Sequence, residues 1–335
     1  MGNARKLSGK RILITGATGL IGSTLVKSLL EMNDNDDTGM QLTLLVRDIE
    51  KAERRLGDLC KRPDVELLPG DVCDAKTTNG RVWDMIVHGA GNAHPLAFSK
   101  YPVETMEANL TGTMNLLSHA KRQAESGTPI DKIVFFSSGE IYGQAPMETE
   151  TGWTEEAAGV VDSMKERSCY PESKRAAETI CRSYYSEYGI PAVVARLGYI
   201  FGSNNTEENT RADAQFFKKA AAGENIVLKS DGMQLRSYCY AKDAVSAVIL
   251  LLTDGKPGEA YNVANMDCVV TIREFAQTMA DAFSVKLTFD IPDAVERAGY
   301  SQMKKEVLNA EKLYDLGWKP VYSLSAAMQD MAENA

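Results

Sequence analysis

Short β-rich runs alternate with longer stretches of helical periodicity through the first two-thirds of the chain, and no other feature constrains the fold as tightly. Residues 11–15, 41–46, 65–68, 85–88, 132–136 and 192–197 read as strands. Apolar residues recur at helical spacing over 20–32, 103–124 and 170–188. Strands apolar along their whole length are buried on both faces, and strand–helix alternation threads them in parallel. The expected class is therefore α/β, a doubly wound parallel sheet. After Gly202 the loops lengthen, and Asn204-Asn205 and Asp231-Gly232 mark turns. Strand-like pieces follow at 236–240, 260–263 and 286–290, with helical pieces at 243–252, 272–283 and 324–334. The expected organisation is a dinucleotide-type domain over 1–200, with segments such as 236–264 returning to it, and a smaller α/β substrate lobe over 201–335.

The first expected strand meets the first expected helix through Gly16-Ala17-Thr18-Gly19-Leu20-Ile21-Gly22. In such a loop the first glycine permits the tight turn, the second lets backbone approach a pyrophosphate, and the third lets helix and strand pack closely. The helix start presents N–H groups and the positive end of its dipole to the anion. The fold is then Rossmann-type, with a nicotinamide dinucleotide at Gly16, Thr18, Gly19, Leu20, Ile21 and Gly22. The second strand ends Val46-Arg47-Asp48. An acidic residue there suits the ribose hydroxyls of NAD, and an arginine suits the 2′-phosphate of NADP. Both are present, so the cofactor stays open between NAD and NADP.

Tyr170-Pro171-Glu172-Ser173-Lys174 places a tyrosine and a lysine at i and i+4, on one helix face. A free phenol titrates near ~10, too high for a base at neutral pH. A neighbouring ammonium and a cationic nicotinamide would lower it, so that Tyr170 could remove a hydroxyl proton as hydride leaves the same carbon. In isolation a surface pair on an amphipathic helix is the commoner reading. Here Phe136-Ser137-Ser138-Gly139-Glu140-Ile141-Tyr142-Gly143 follows the fifth strand, where strand ends line the ligand crevice. Ser138 can share the substrate proton with Tyr170.

The glycine spacing together with Ser138, Tyr170 and Lys174 resembles the short-chain dehydrogenase/reductase superfamily. The longer set resembles its extended branch, the NAD-dependent epimerases, dehydratases and decarboxylases of nucleotide sugars. Asn109-Leu110-Thr111-Gly112-Thr113, Arg236-Ser237-Tyr238-Cys239-Tyr240-Ala241-Lys242-Asp243 and Leu316-Gly317-Trp318-Lys319-Pro320 are similar to further segments of that branch. The resemblance implies that Asp71-Val72 contacts adenine, a plain loop aspartate being the alternative, and that Gly89 and Ala90 line the cofactor. It implies that Arg236 grips a sugar-nucleotide diphosphate, with Tyr199 in the place of an asparagine on the substrate phosphate. It also implies a homodimer through the helices near 103–124 and 170–188. The segment Gly299-Tyr300-Ser301-Gln302-Met303-Lys304-Lys305 lacks the arginines that the branch often carries there.

Glu140 narrows the chemistry. Oxidation of a sugar at C4 acidifies the proton at C5, where a dehydratase needs a base. Glu140 fits that role, while Gly139 offers no acid for the departing C6 hydroxyl. A decarboxylase has less need of that acid, and an epimerase needs neither. A structural ion pair is the alternative for Glu140. The leading expectation is a lyase, either dehydratase or decarboxylase. Behind it stand a 4-epimerase (an isomerase), an NADPH-dependent reductase favoured by Arg47, and a silent scaffold. The connection 144–169, with Glu148, Glu150, Glu155 and Glu156, reads as a solvated loop or a lid over the substrate.

A net charge of -9 and a pI near 5.1 argue against nucleic acid and anionic membranes as partners. Six cysteines without C-x-x-C spacing, beside three histidines, predict reduced thiols and no metal site. No apolar run approaches the ~18 residues of a membrane span. The expected location is the cytoplasm.

Overall fold

The computed structural model describes residues 2–143, 151–291 and 305–335. Glu148, Glu150 and the segment 299–304 lie outside them. Six parallel strands form in the expected order: β1 (Arg11–Thr15), β2 (Gln41–Val46), β3 (Val65–Pro69), β4 (Met85–His88), β5 (Lys132–Ser138) and β6 (Ala192–Leu197). A late strand, Ala260–Val263, completes a seven-stranded sheet. With three intervening strands, β7 (Tyr199–Phe201), β8 (Ile226–Leu228) and β9 (Leu235–Tyr240), that late strand is β10, and the sheet order is β10-β6-β5-β4-β1-β2-β3. The order reverses between β1 and β4, which opens a crevice at their carboxyl ends.

Successive side chains of a strand point to opposite faces, so a strand buried on both sides feeds two cores. Ile12 and Ile14 of β1 join the core made with Leu7 of α1 (Gly2–Leu7), with α2 (Leu20–Asp36) and with the helix Ala241–Asp254. Leu13, between them, joins the core made with the helices Pro102–Glu125 and Cys169–Tyr188. Each such fully buried aliphatic side chain stabilises the fold by roughly 1.5–3 kcal/mol. Helix ends follow local chemistry. Pro102 begins the 102–125 helix where its missing N–H costs nothing, and Gly189 ends the 169–188 helix in the left-handed conformation at φ 70°. A short helix that periodicity did not predict, α3 (Ile49–Leu56), is N-capped by Asp48, whose carboxylate accepts the Lys51 N–H.

The smaller sheet is built around β9. This strand pairs with β7, with β11 (Val269–Thr271) and, past β12 (Leu287–Phe289), with β13 (Lys305–Glu306). Phe201, Phe216, Tyr238, Phe275 and Met328 form its core. The stretch 236–264 divides: β9 belongs to the small sheet and β10 to the large one.

One correction concerns the connection before Tyr170. Trp153 is buried, donates its N–H to Val307 O at 2.8 Å and accepts from Asn309 N–H at 2.8 Å. The Glu155 carboxylate accepts the Asn262 N–H of β10 at 2.6 Å, and burial pushes its pKa up. This part of the connection is fastened to the body by backbone pairing rather than solvated. No helix among the described residues is long and apolar enough to cross a membrane, and all six cysteines are free.

Candidate active site

At the mouth of the crevice, Gly16 adopts φ 73°, and a Cβ on it would lie 2.4 Å from Gly89 O. A Cβ on Gly22 would lie 2.1 Å from Gly16 O. The turn and the helix start are thus closer to each other than any side chain allows. Gly19 differs: it is the N-cap of α2, and a Cβ there would meet only Gly16 O, at 3.4 Å. Leu20, Ile21 and Gly22 form the first helical turn, whose N–H groups have no intrahelical partner. Open space beside bare N–H donors fits the pyrophosphate of a dinucleotide.

Arg47 and Asp48 stand exposed beyond β2. One Asp71 oxygen accepts the Cys73 N–H at 2.8 Å, and the Asp71 carbonyl accepts the Thr77 hydroxyl at 2.9 Å. Val72 packs against Gly112, where a Cβ would lie 2.8 Å from it. After β4, Ala90 donates its N–H to Thr15 Oγ1 at 3.1 Å, and that hydroxyl shares a 2.8 Å bond with His88 Nδ1. Burial pushes His88 down to about 3, so the imidazole is neutral. A Cβ on Gly91 would lie 2.9 Å from Asn109 Oδ1 and 3.9 Å from Lys174 Nζ. Asn109 Oδ1 is buried without a hydrogen-bond partner among the described residues, while its Nδ2 donates to Ser173 Oγ at 2.9 Å. The loop after β4 therefore borders the lysine.

Lys174 is buried and donates to Phe136 O at 2.7 Å. Burial pushes its pKa down to about 7, and Glu178 opposes that shift. Tyr170 is buried beside it, its ring stacked on Phe98 at 4.3 Å between centroids and 17° between planes. Ser138 hydrogen-bonds the phenol and lowers its pKa, yet burial and the Glu140 charge win, and Tyr170 is pushed up to about 12. The expected lowering needs the cationic nicotinamide as well as the ammonium; in the protein alone the phenol is not lowered. Desolvation of the phenolate exceeds what Ser138 and the more distant Arg211 and Arg167 return.

Glu140 is the second residue of the single helical turn Gly139–Tyr142 that follows β5. Arg167 Nη2 donates to both of its oxygens at 3.0 Å, and the same guanidinium lies 5.5 Å from the Phe98 ring. Tyr199 and Arg236 converge on a residue that sequence reading did not single out. The Tyr199 hydroxyl donates to Glu306, and Arg236 Nε pairs with the same carboxylate oxygen at 2.7 Å. The Arg236 guanidinium also sits 5.3 Å from the Tyr199 ring. The charge of Glu140 is felt at Tyr170, Tyr199 and Glu306 alike. Arg47, Asp48, Asp71 and Val72 lie apart from these residues, at the β2–β3 end of the same sheet edge.

The profile of the NAD dependent epimerase/dehydratase family matches residues 12–264. The chain belongs to this family. A relative named UDP-glucuronic acid decarboxylase 3, from Arabidopsis thaliana, is 30% identical over 330 residues, covering 97% of this chain and 88% of that protein. A mouse dTDP-D-glucose 4,6-dehydratase is 28% identical over 319 residues, covering 93% and 84%. The fold matches a dTDP-glucose 4,6-dehydratase from Streptomyces venezuelae, solved with NAD, at a TM-score of 0.79 and 23% identity, covering 96% of each chain. It also matches a Thermus thermophilus UDP-glucose 4-epimerase in complex with NAD, at 0.78 and 24%, covering 96% and 98%. The chain is an enzyme of the extended short-chain dehydrogenase type, and the family is NAD(P)-dependent.

For a member of the epimerase/dehydratase family, four side chains add to those found in sequence: Phe98, Arg167, Arg211 and Glu306. Arg211 Nη2 donates to Ile200 O at 3.1 Å, and its charge is felt at Tyr170. Arg167 was legible, three residues before Tyr170 where the helix begins. Glu306 was not, because only the pairing of β13 with β9 brings it to Arg236.

Proposed function

We propose that this enzyme modifies a nucleotide-activated sugar by transient oxidation at C4, followed by dehydration or decarboxylation, and uses its dinucleotide internally. The observation that carries the reading is the meeting of Ser138, Tyr170 and Lys174 with a carboxylate, Glu140, at the end of one strand. A bound oxidised nicotinamide would supply reversible hydride acceptance and a positive charge near Tyr170. Tyr170 is a phenol in the free protein and becomes a base once that charge is present; Ser138 shares the C4 hydroxyl proton with it. Lys174 titrates close to neutrality and draws the phenol toward its ionised form while protonated. Glu140 is the group that takes the acidified C5 proton in a dehydratase; in a decarboxylase, carbon dioxide leaves the 4-keto acid instead.

The ion pair of Glu140 with Arg167 favours a second reading, a 4-epimerase in which this carboxylate is structural. Proton NMR without added cofactor, against UDP-, dTDP-, GDP- and CDP-sugars including UDP-glucuronate, decides between them. A 4-keto-6-deoxy sugar, or a pentose with carbon dioxide, supports the lyase. A C4-inverted sugar supports the epimerase, and no conversion overturns both.

We also infer a homodimer through the helices 102–125 and 169–188. Val103 (63% exposed) and Met114 (47%) leave an apolar stripe along the first. Light scattering that gives a monomeric mass at working concentration overturns it.

A further inference from the structure

The segment 202–211 leaves β7 and crosses in front of the glycine loop. Gly202 lies against the start of α2, where a Cβ would sit 3.2 Å from Leu20 Cδ1. The side chain that fastens this segment is Arg55, on α3. Its Nε donates to Thr18 O at 3.2 Å, its Nη1 to Asn205 O at 2.9 Å and its Nη2 to Asn204 O at 2.5 Å. Thr18 belongs to the glycine loop; the two asparagines belong to the crossing segment. One planar fork, with donors in fixed directions, therefore joins the helix α3, the phosphate-binding turn and the strap.

Neighbouring contacts reinforce the arrangement. Lys51, one turn earlier on α3, pairs with Glu208 at 3.0 Å. Leu96 N–H reaches Thr210 Oγ1 at 3.4 Å. Within the strap, Asn205 Nδ2 donates to Gly202 O at 2.6 Å, and Asn209 Nδ2 to Asn205 Oδ1 at 2.8 Å. The strap is thus stiffened from inside and tied from two sides. Arg55 is half-buried; burial pushes its pKa down while Glu208 and Glu207 oppose this, and a guanidinium stays charged at any working pH.

We propose that Arg55 is a positioning residue that holds the 202–211 strap across the glycine loop, so that a bound dinucleotide is retained from one turnover to the next. The benefit of retention rests on the reading above, since an enzyme that returns the hydride it takes has no need to exchange its cofactor. The retention itself is measurable without any sugar.

The test uses the full chain loaded with NAD. Release is followed by exchange against isotope-labelled NAD, and nucleotide content is measured after repeated desalting. The wild type keeps its nucleotide. Arg55→Met, which keeps the stem and loses the fork, releases it roughly tenfold faster or more, and Arg55→Lys, with a single ammonium, falls between. Lys51→Met, which leaves the fork intact, gives a smaller acceleration that shrinks with added salt. Release from Arg55→Met at the wild-type rate overturns the proposal, as does loss of nucleotide from the wild type on desalting. Should Arg55→Met fail to fold, the same comparison is made with Arg55→Lys. Faster release beside a wild type that converts no nucleotide sugar would overturn the proposed reaction and leave the strap standing.

Discussion

Arg167 reaches both carboxylate oxygens of Glu140 through one nitrogen, Nη2, at 3.0 Å each. The pair is partly open to solvent, with side-chain exposures of 56% and 33%, so it adds little to stability. Its value lies in aiming Glu140. Glu140→Gln is expected to cut turnover roughly 10²–10⁴-fold, the usual range for a general base, with melting temperature nearly unchanged. Full turnover by Glu140→Gln would remove Glu140 from the chemistry.

The charge of Glu140 also raises the Tyr170 pKa. In Glu140→Gln the phenol should titrate at lower pH than in the wild type, read by tyrosinate absorbance with Tyr170→Phe as the blank. An unchanged or upward shift contradicts the coupling.

Lys174 titrates at about 7 in the folded chain, below its ordinary 10.5. Between those values the unfolded chain holds more protons, so this residue makes stability rise with pH across that window and leaves it level below about 7. Lys174→Met should lack this part of the slope in urea unfolding of the nucleotide-free protein. Parallel pH profiles for the two proteins would mean that the ammonium is not desolvated as the burial indicates.

Gly22→Ala puts a methyl group 2.1 Å from Gly16 O, so backbone must move. Destabilisation of about 1–3 kcal/mol is expected, the usual cost of overpacking, together with loss of NAD binding. Gly19→Ala meets only an ordinary contact at 3.4 Å and should fold normally while binding NAD poorly. Equal NAD affinity in Gly19→Ala and wild type would separate that position from the ligand.

The strands of the large sheet were legible because both their faces are buried, which leaves unbroken apolar runs such as 133–136 within Lys132–Ser138. Ser138, Tyr170 and Lys174 were legible because one helix face and one strand end bring them together. The helix Ile49–Leu56 was missed for want of a long apolar stripe: only Ala52 and Leu56 are buried in it. Glu306 escaped because its meaning depends on pairing across 70 positions of chain with Arg236. Tyr170 is a case that spacing leaves open. Spacing shows that a lysine is near, but only packing shows how much desolvation the phenol suffers.

The bond from Asn262 N–H to Glu155 has a consequence for how molecules of this enzyme meet one another. β10 is the outermost strand of the large sheet, and such a strand offers unpaired N–H groups to any other extended chain. Glu155 occupies one of these donors, and Asn262 Nδ2 is spent on Trp153 O and Asn309 O, each at 2.8 Å. The connection before the 169–188 helix thus covers part of the edge that another extended chain would need. Removing the carboxylate would free one of those donors while Trp153 stayed paired with Val307 and Asn309.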